Sequence, residues 1–167
     1  MDSIRIFGYK SFKKLSVQLH PINLLIGANG AGKSNFLSLF EMLGNIYEKR
    51  LGAYVAQVGG VDKLLYQGRK VTDRIAVNLL IAKSEYDLAL LESDGKLIVE
   101  REVVGCYDDV CPLDLVRKNV ITEFQSESSL KDHKEEDLSN YISQIRKFHF
   151  HDTGRRSPFT ADSHIVN

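Results

Sequence analysis

The sequence predicts an α/β fold whose mixed sheet includes an antiparallel meander, and three observations carry that prediction. The octapeptide Gly27-Ala28-Asn29-Gly30-Ala31-Gly32-Lys33-Ser34 follows a short apolar run, Ile22-Asn23-Leu24-Leu25-Ile26. It precedes a segment whose apolar residues recur at helical spacing. Three segments of period two then follow from about Ile75 to Val104, joined by tight connections. At 167 residues the chain suits one domain with a substantial core.

Taken in order, Ile4 and Ile6 alternate with Ser3 and Arg5, and Val17 and Leu19 alternate with Ser16 and Gln18, which predicts two short strands. Gly8-Tyr9-Lys10-Ser11-Phe12-Lys13-Lys14 between them is a basic turn with two aromatics. It is either a solvated hairpin tip or a place from which Lys10 approaches a bound anion. Ile22–Ile26 reads as the strand that delivers the chain to Gly27. From Ser34 to about Arg50, Phe36, Leu39, Phe40, Leu43, Ile46 and Tyr47 form the apolar face of a helix. A second apolar stretch after Gly52 leads through Gly59-Gly60 to Val61–Gly68, read as a short helix between glycine turns.

Ile75, Val77, Leu79 and Ile81 then mark one strand, Tyr86, Leu88 and Leu90 a second, and Leu97, Val99 and Val103 a third. Asp94-Gly95 is the turn between the last two. Strands joined this tightly pair antiparallel, because parallel neighbours need a crossover. Residues 105–135 hold a proline, scattered apolar residues and the polar run Gln125–Ser129, and are expected to form an irregular insertion. Asp137–Lys147 returns to helical spacing, and Phe148-His149-Phe150-His151-Asp152 alternates as a strand. Residues 1–152 are therefore one lobe, and 153–167 a loop or disordered tail.

The octapeptide reads G-x-x-x-x-G-K-S, a phosphate-binding loop. Backbone N–H groups from Gly27, Ala28, Asn29, Gly30 and Ala31 can curl around a phosphate chain, with Lys33 as point charge for the β/γ-phosphates and the Ser34 hydroxyl as a ligand for Mg²⁺. A helix opening near Gly32 adds the positive end of its dipole. Gly27 is expected to turn the chain out of the strand, Gly30 to adopt positive φ, and Gly32 to let backbone approach phosphate where a Cβ would intrude. ATP with Mg²⁺ is the expected ligand.

Composition narrows the alternatives. Lys and Arg total 22 and Asp and Glu total 22, so no basic excess announces nucleic acid, and any such contact must come from a local patch. Cys106 and Cys111 are too few for a disulfide framework and are expected to be reduced thiols. Without a membrane-length apolar run or a signal-peptide pattern, the chain is expected to be cytoplasmic. His149, His151 and Asp152 form an H-x-H-D pattern that could be a metal site or a polar strand end, and no further ligand cluster supports the metal.

The stretch from Ile4 to Leu43 resembles the opening of the ATP-binding-cassette type heads of SMC proteins, RecF and related bacterial AAA-type ATPases. Lys10-Ser11-Phe12 match their basic-Ser-Phe turn, and Asn29-Gly30 and Ser34-Asn35 match positions beyond the bare loop. The similarity is strong over about residues 3–45 and loose through the meander. The resemblance implies a P-loop NTPase lobe of the ABC-ATPase-head type, with Asn35 and Lys10 added to the nucleotide contacts. It implies heads that dimerise around ATP, a DNA contact, an effector protein, and roles in DNA repair, chromosome maintenance or antiphage defence.

Two family elements lack a match. Leu138-Ser139-Asn140 has no glycines of the Leu-Ser-Gly-Gly signature, and no apolar strand ends convincingly in the Asp-Glu pair that holds Mg²⁺ and polarises water. Leu88–Glu92 runs into the Ser93-Asp94-Gly95 turn, and Val103–Asp109, with Asp108 and Asp109, reads as a strand end and loop. In the family those elements lie in a C-terminal half, after the point where this sequence ends. The family also places a Gln, which touches Mg²⁺ and the attacking water, after the strand matching Phe148–Asp152, where His151 or Asp152 could substitute. Two other readings stay open: a small P-loop kinase with Arg155-Arg156 as a poor lid, which the meander argues against, and a nucleotide-sensing assembly module without turnover.

Overall fold

Alternation of apolar and polar side chains is the sequence feature that most directly becomes structure. The computed structural model describes residues 1–106, 117–133 and 136–145. Six strands, β1 (Ser3–Tyr9), β2 (Phe12–Gln18), β3 (Arg74–Ile81), β4 (Ser84–Ser93), β5 (Lys96–Cys106) and β6 (Arg117–Gln125), form one sheet in the order β2-β1-β3-β4-β5-β6. Every pairing among the described strands is antiparallel, so the expected mixed sheet is corrected to an antiparallel one.

One face of the sheet is packed. Ile4 and Ile6 of β1, Ile75, Val77, Leu79 and Ile81 of β3, and Tyr86, Leu88 and Leu90 of β4 all point into a single core. Helix α1 (Lys33–Tyr47) covers it with Leu39, Met42, Leu43 and Ile46, and contacts both α2 (Leu51–Gln57) and α3 (Glu136–Ser143). Side chains of a strand alternate between faces, which is why the period-two segments of the sequence map so cleanly onto this wall. The Asp94-Gly95 turn joins β4 to β5 with both residues at positive φ, 51° and 78°, as in a type I′ turn. Glu92 accepts the Gly95 N–H at 2.8 Å, so its carboxylate serves the hairpin.

Three expectations meet a different structure. Ile22–Ile26 is not a strand; it pairs with no strand among the described residues, and Ile22, Leu24 and Ile26 are 90%, 81% and 84% exposed. Within the expected irregular insertion, β5 runs to Cys106 and β6 pairs along it, followed by a 3₁₀ turn at Leu130–Asp132. The helix expected over Val61–Gly68 shrinks to a 3₁₀ turn at Val61–Lys63, while α2, which had no helix signal beyond an apolar stretch, forms before it.

Long-range polar contacts explain why β6 and its exit were hard to read. Glu102 of β5 is fully buried and accepts hydrogen bonds from the Tyr86 hydroxyl, the Ser128 hydroxyl and the Ser129 N–H. Glu127 accepts the Leu51 and Gly52 N–H groups, capping the start of α2 from 75 or more residues away. The strand expected at Phe148–Asp152 and the tail 153–167 lie outside the described residues.

Candidate phosphate-binding site

Two glycines set the shape of the loop before α1. Gly30 and Gly32 have φ of +84° and +94°, a region that glycine enters without steric cost. Gly32 is the residue immediately before the helix, and Phe36 N–H closes the first helical bond onto its carbonyl at 2.9 Å. The N–H groups of Lys33, Ser34 and Asn35 therefore have no intrahelical acceptor. The first turn of α1 contains no acidic residue, so nothing there opposes an anion at the positive end of the helix.

Lys33 folds back over the loop. Its ammonium donates to the carbonyls of Gly27 at 2.5 Å and Ala28 at 2.7 Å. An ammonium has three donors, so the point charge sits over the loop with capacity left for an anion. Gly27 through Ala31 and Ser34 are solvent-exposed, and Lys33 and Asn35 are half-buried. A ligand can reach all of them. Gly27 is not at positive φ; a Cβ there would lie 3.2 Å from the Ala31 methyl, so tight turning, not a left-handed backbone, is what asks for glycine.

The turn Lys10-Ser11 between β1 and β2 packs directly on this helix start. Lys10 donates to Ser38 Oγ at 2.8 Å, and Asn35 Nδ2 donates to Ser11 Oγ at 3.0 Å. A Cβ on Gly32 would sit 3.2 Å from the Phe12 ring. The positive φ is what favours glycine at position 32, and the nearest side chain to a Cβ there is an aromatic ring of the same protein. Ser38 also shares a 2.9 Å hydrogen bond with the Tyr9 hydroxyl, and its carbonyl accepts from Tyr54. Burial pushes both phenols above their usual range, Tyr9 the further; its bond to Ser38 and Tyr54's to Tyr9 pull the other way.

Beside the first turn of α1 opens a cleft of about 810 Å³ lined by Lys10, Asn35, Asp62, Lys63, Arg69 and Lys70. Asp62 accepts the Arg69 N–H at 2.9 Å and pairs with its guanidinium at 3.4 Å. A second groove of about 480 Å³, lined by Phe12, Leu15, Val17, Leu24, Gly32 and Phe36 among others, flanks the loop on its apolar side.

The structure thus brings Lys10 and Gly27 through Asn35 into one region. Glu92 lies in the meander at a hairpin turn, and Asp108, Asp109, His151 and Asp152 fall outside the described residues. No group of three or more His, Cys, Asp or Glu side chains suited to a metal occurs among the described residues. Sequence reading missed Ser38, whose only signal was a hydroxyl on the apolar face one turn beyond Ser34. It also missed the role of Gly8, at φ +72°, where a Cβ would lie 2.1 Å from the Arg74 carbonyl.

A family model described as an AAA ATPase domain matches residues 1–153. No curated protein matches the chain. Among the described residues no helix is long and apolar enough to cross a membrane.

Proposed function

We propose that this chain, which belongs to the AAA ATPase domain family, holds MgATP on Gly27–Ser34 and works as one head of a RecF/SMC-like ATPase. The observation that carries the reading is the Lys33 ammonium held over an open loop whose Gly30 and Gly32 are left-handed and whose last residues begin α1. Backbone N–H groups of the loop and first turn take the β- and γ-phosphate oxygens, and Lys33 neutralises their charge. Asn35, directly after the loop, and Lys10 line one cleft, and on this reading they would add an amide donor and a positive charge beside the phosphates. Mg²⁺ fits the exposed Ser34 hydroxyl and would offset charge on the same oxygens.

Phosphoryl transfer to water also requires a group that orients the attacking water and donors that meet charge developing on the γ-phosphoryl. We assign those to an opposed head and to a carboxylate of the C-terminal half that such ATPases carry, neither drawn from residues 1–167. The second copy, a DNA contact at a basic surface patch and an effector protein belong to this reading, as does work in DNA repair, chromosome maintenance or antiphage defence. The antiparallel pairing of all described strands weighs against the small-kinase alternative, whose core would be parallel.

A phosphate-release assay over a concentration series tests the division of labour. The chain of 167 residues is expected to bind MgATP yet release phosphate at or near background. Robust turnover that Lys33→Ala abolishes would contradict it and would place the water-orienting carboxylate within this chain.

A further inference from the structure

The phosphate loop has an unpaired segment on its entry side, which raises the question of what holds it in shape. A strand usually anchors such a loop at that end, but Ile22–Ile26 pairs with no strand among the described residues and is largely exposed. On the exit side, the two residues of the β1–β2 turn and the first residue of β2 each touch a different point of the helix start. Lys10 bonds to Ser38, Ser11 to Asn35, and the Phe12 ring lies against Gly32. The turn is itself fixed to the sheet, because Tyr9 and Phe12 pair across it and the Lys10 N–H donates to the Leu64 carbonyl at 2.8 Å.

Lys10 also carries a backbone φ of +47°, a conformation unfavourable for a residue with a Cβ. A two-residue hairpin loop takes a positive φ at its first central residue, and Tyr9 and Phe12 pair on either side of this one. From that loop the lysine side chain reaches Ser38 and the Ser11 hydroxyl meets the Asn35 side chain.

We propose that Lys10-Ser11-Phe12 is a clamp that preorganises the phosphate loop, and that Ser11 and Asn35 are a positioning pair for nucleotide affinity. The inference rests on the nucleotide reading above and deepens it. Asn35 ends the set of N–H groups without an intrahelical acceptor, so fixing its side chain orients the last donor of the anion cradle. The Phe12 ring packs on the left-handed turn at Gly32, 3.2 Å from where a Cβ would sit, and so covers the point at which the helix starts. Without the clamp the same loop would have to pay the ordering entropy on binding.

The test measures two properties of Ser11→Ala, Asn35→Ala, the double variant and Ser11→Thr: affinity for a fluorescent ATP analogue with Mg²⁺, and hydrogen exchange at the Phe36 and Leu37 amides without ligand. Each alanine variant is expected to weaken binding about three- to tenfold, the range of one hydrogen bond, with little change in melting temperature. The double variant should be no weaker than the worse single one, since both break the same contact. Ser11→Thr, which keeps the hydroxyl, should recover most of the loss, and the two amides should exchange faster in both alanine variants.

Unchanged affinity and unchanged exchange in a protein whose binding Lys33→Ala abolishes would overturn the clamp and leave the nucleotide site standing. Additive losses in the double variant would overturn the pairing of Ser11 with Asn35. Failure of the unaltered chain to bind would overturn the nucleotide reading itself, and with it the clamp's role in affinity.

Discussion

Two apolar segments of nearly the same composition end in opposite places. β3, Arg74-Ile75-Ala76-Val77-Asn78-Leu79-Leu80-Ile81, buries every second residue; Ile22-Asn23-Leu24-Leu25-Ile26 leaves most of its apolar surface in water. Composition and β-propensity cannot separate them, since both are rich in Ile and Leu. What differs is pattern and company. β3 alternates, so one covered face satisfies it, and β1 and β4 flank it on both sides. Ile22–Ile26 is nearly continuous, the pattern of a strand covered on both faces, and that kind of strand needs paired neighbours and a layer on each side. It follows β2, which forms one edge of the sheet. Strand formation is therefore a tertiary event: the chain supplies the tendency, and partners supply the hydrogen bonds.

The same truncation at the two places breaks this symmetry most sharply. Leu79→Ala, at a fully buried position, is expected to cost about 2–5 kcal/mol of unfolding free energy, as deletions in packed cores do. Leu24→Ala, at 81% exposure, should change it by no more than ~0.5 kcal/mol. Urea denaturation of both variants reads the difference directly; equal losses would mean that Leu24 is packed in solution.

A smaller, pH-dependent effect belongs to the packed region alone. Burial raises the phenols of Tyr9, Tyr54 and Tyr86, and the Glu102 carboxylate raises Tyr86 further. The folded chain then keeps protons that the unfolded chain gives up near pH 10.0. Their stabilising contribution is intact below that pH and falls as pH rises above it, by at most about 1.4 kcal/mol per pH unit for each phenol. Denaturant midpoints measured from pH 9 to about pH 11 should fall along this line, and Tyr9→Phe should make the slope shallower. A slope that Tyr9→Phe leaves unchanged would contradict the burial of that phenol.

What the sequence could and could not convey follows from the range of each interaction. The hairpin of Ile4 and Ile6 with Val17, the helix from Phe36 to Ile46, and the meander with its Asp94-Gly95 turn were all legible, because each rests on local periodicity or on one turn dipeptide. The place of the glycine-rich loop before α1 was legible for the same reason, and Gly30 has the positive φ expected of it. β6 was not, since the Ser128 and Ser129 bonds that fasten its exit reach back to Glu102 across the sequence. Nor was the cap of α2, whose carboxylate comes from Glu127. The Ile22–Ile26 strand failed for the converse reason: its local signal was strong, and the partners that would realise it are not among the described residues. At the candidate site, the motif pointed to the lysine, serine and glycines, whereas Ser38 has its place only because β1, α1 and α2 meet around it.

Isothermal calorimetry of MgATP against the unaltered chain and Lys33→Ala tests the central claim most directly, with circular dichroism to verify that the variant is folded. Removing the ammonium takes away the main side-chain counter-charge of the β/γ-phosphates, so a loss of at least about tenfold in affinity is expected, the range of a charge-assisted hydrogen bond. Lys33 is half-buried and its bonds run to carbonyls of the exposed loop, not to the core, so the variant is expected to fold. Equal affinities in two folded proteins would contradict the assignment of Gly27–Ser34 as the nucleotide site.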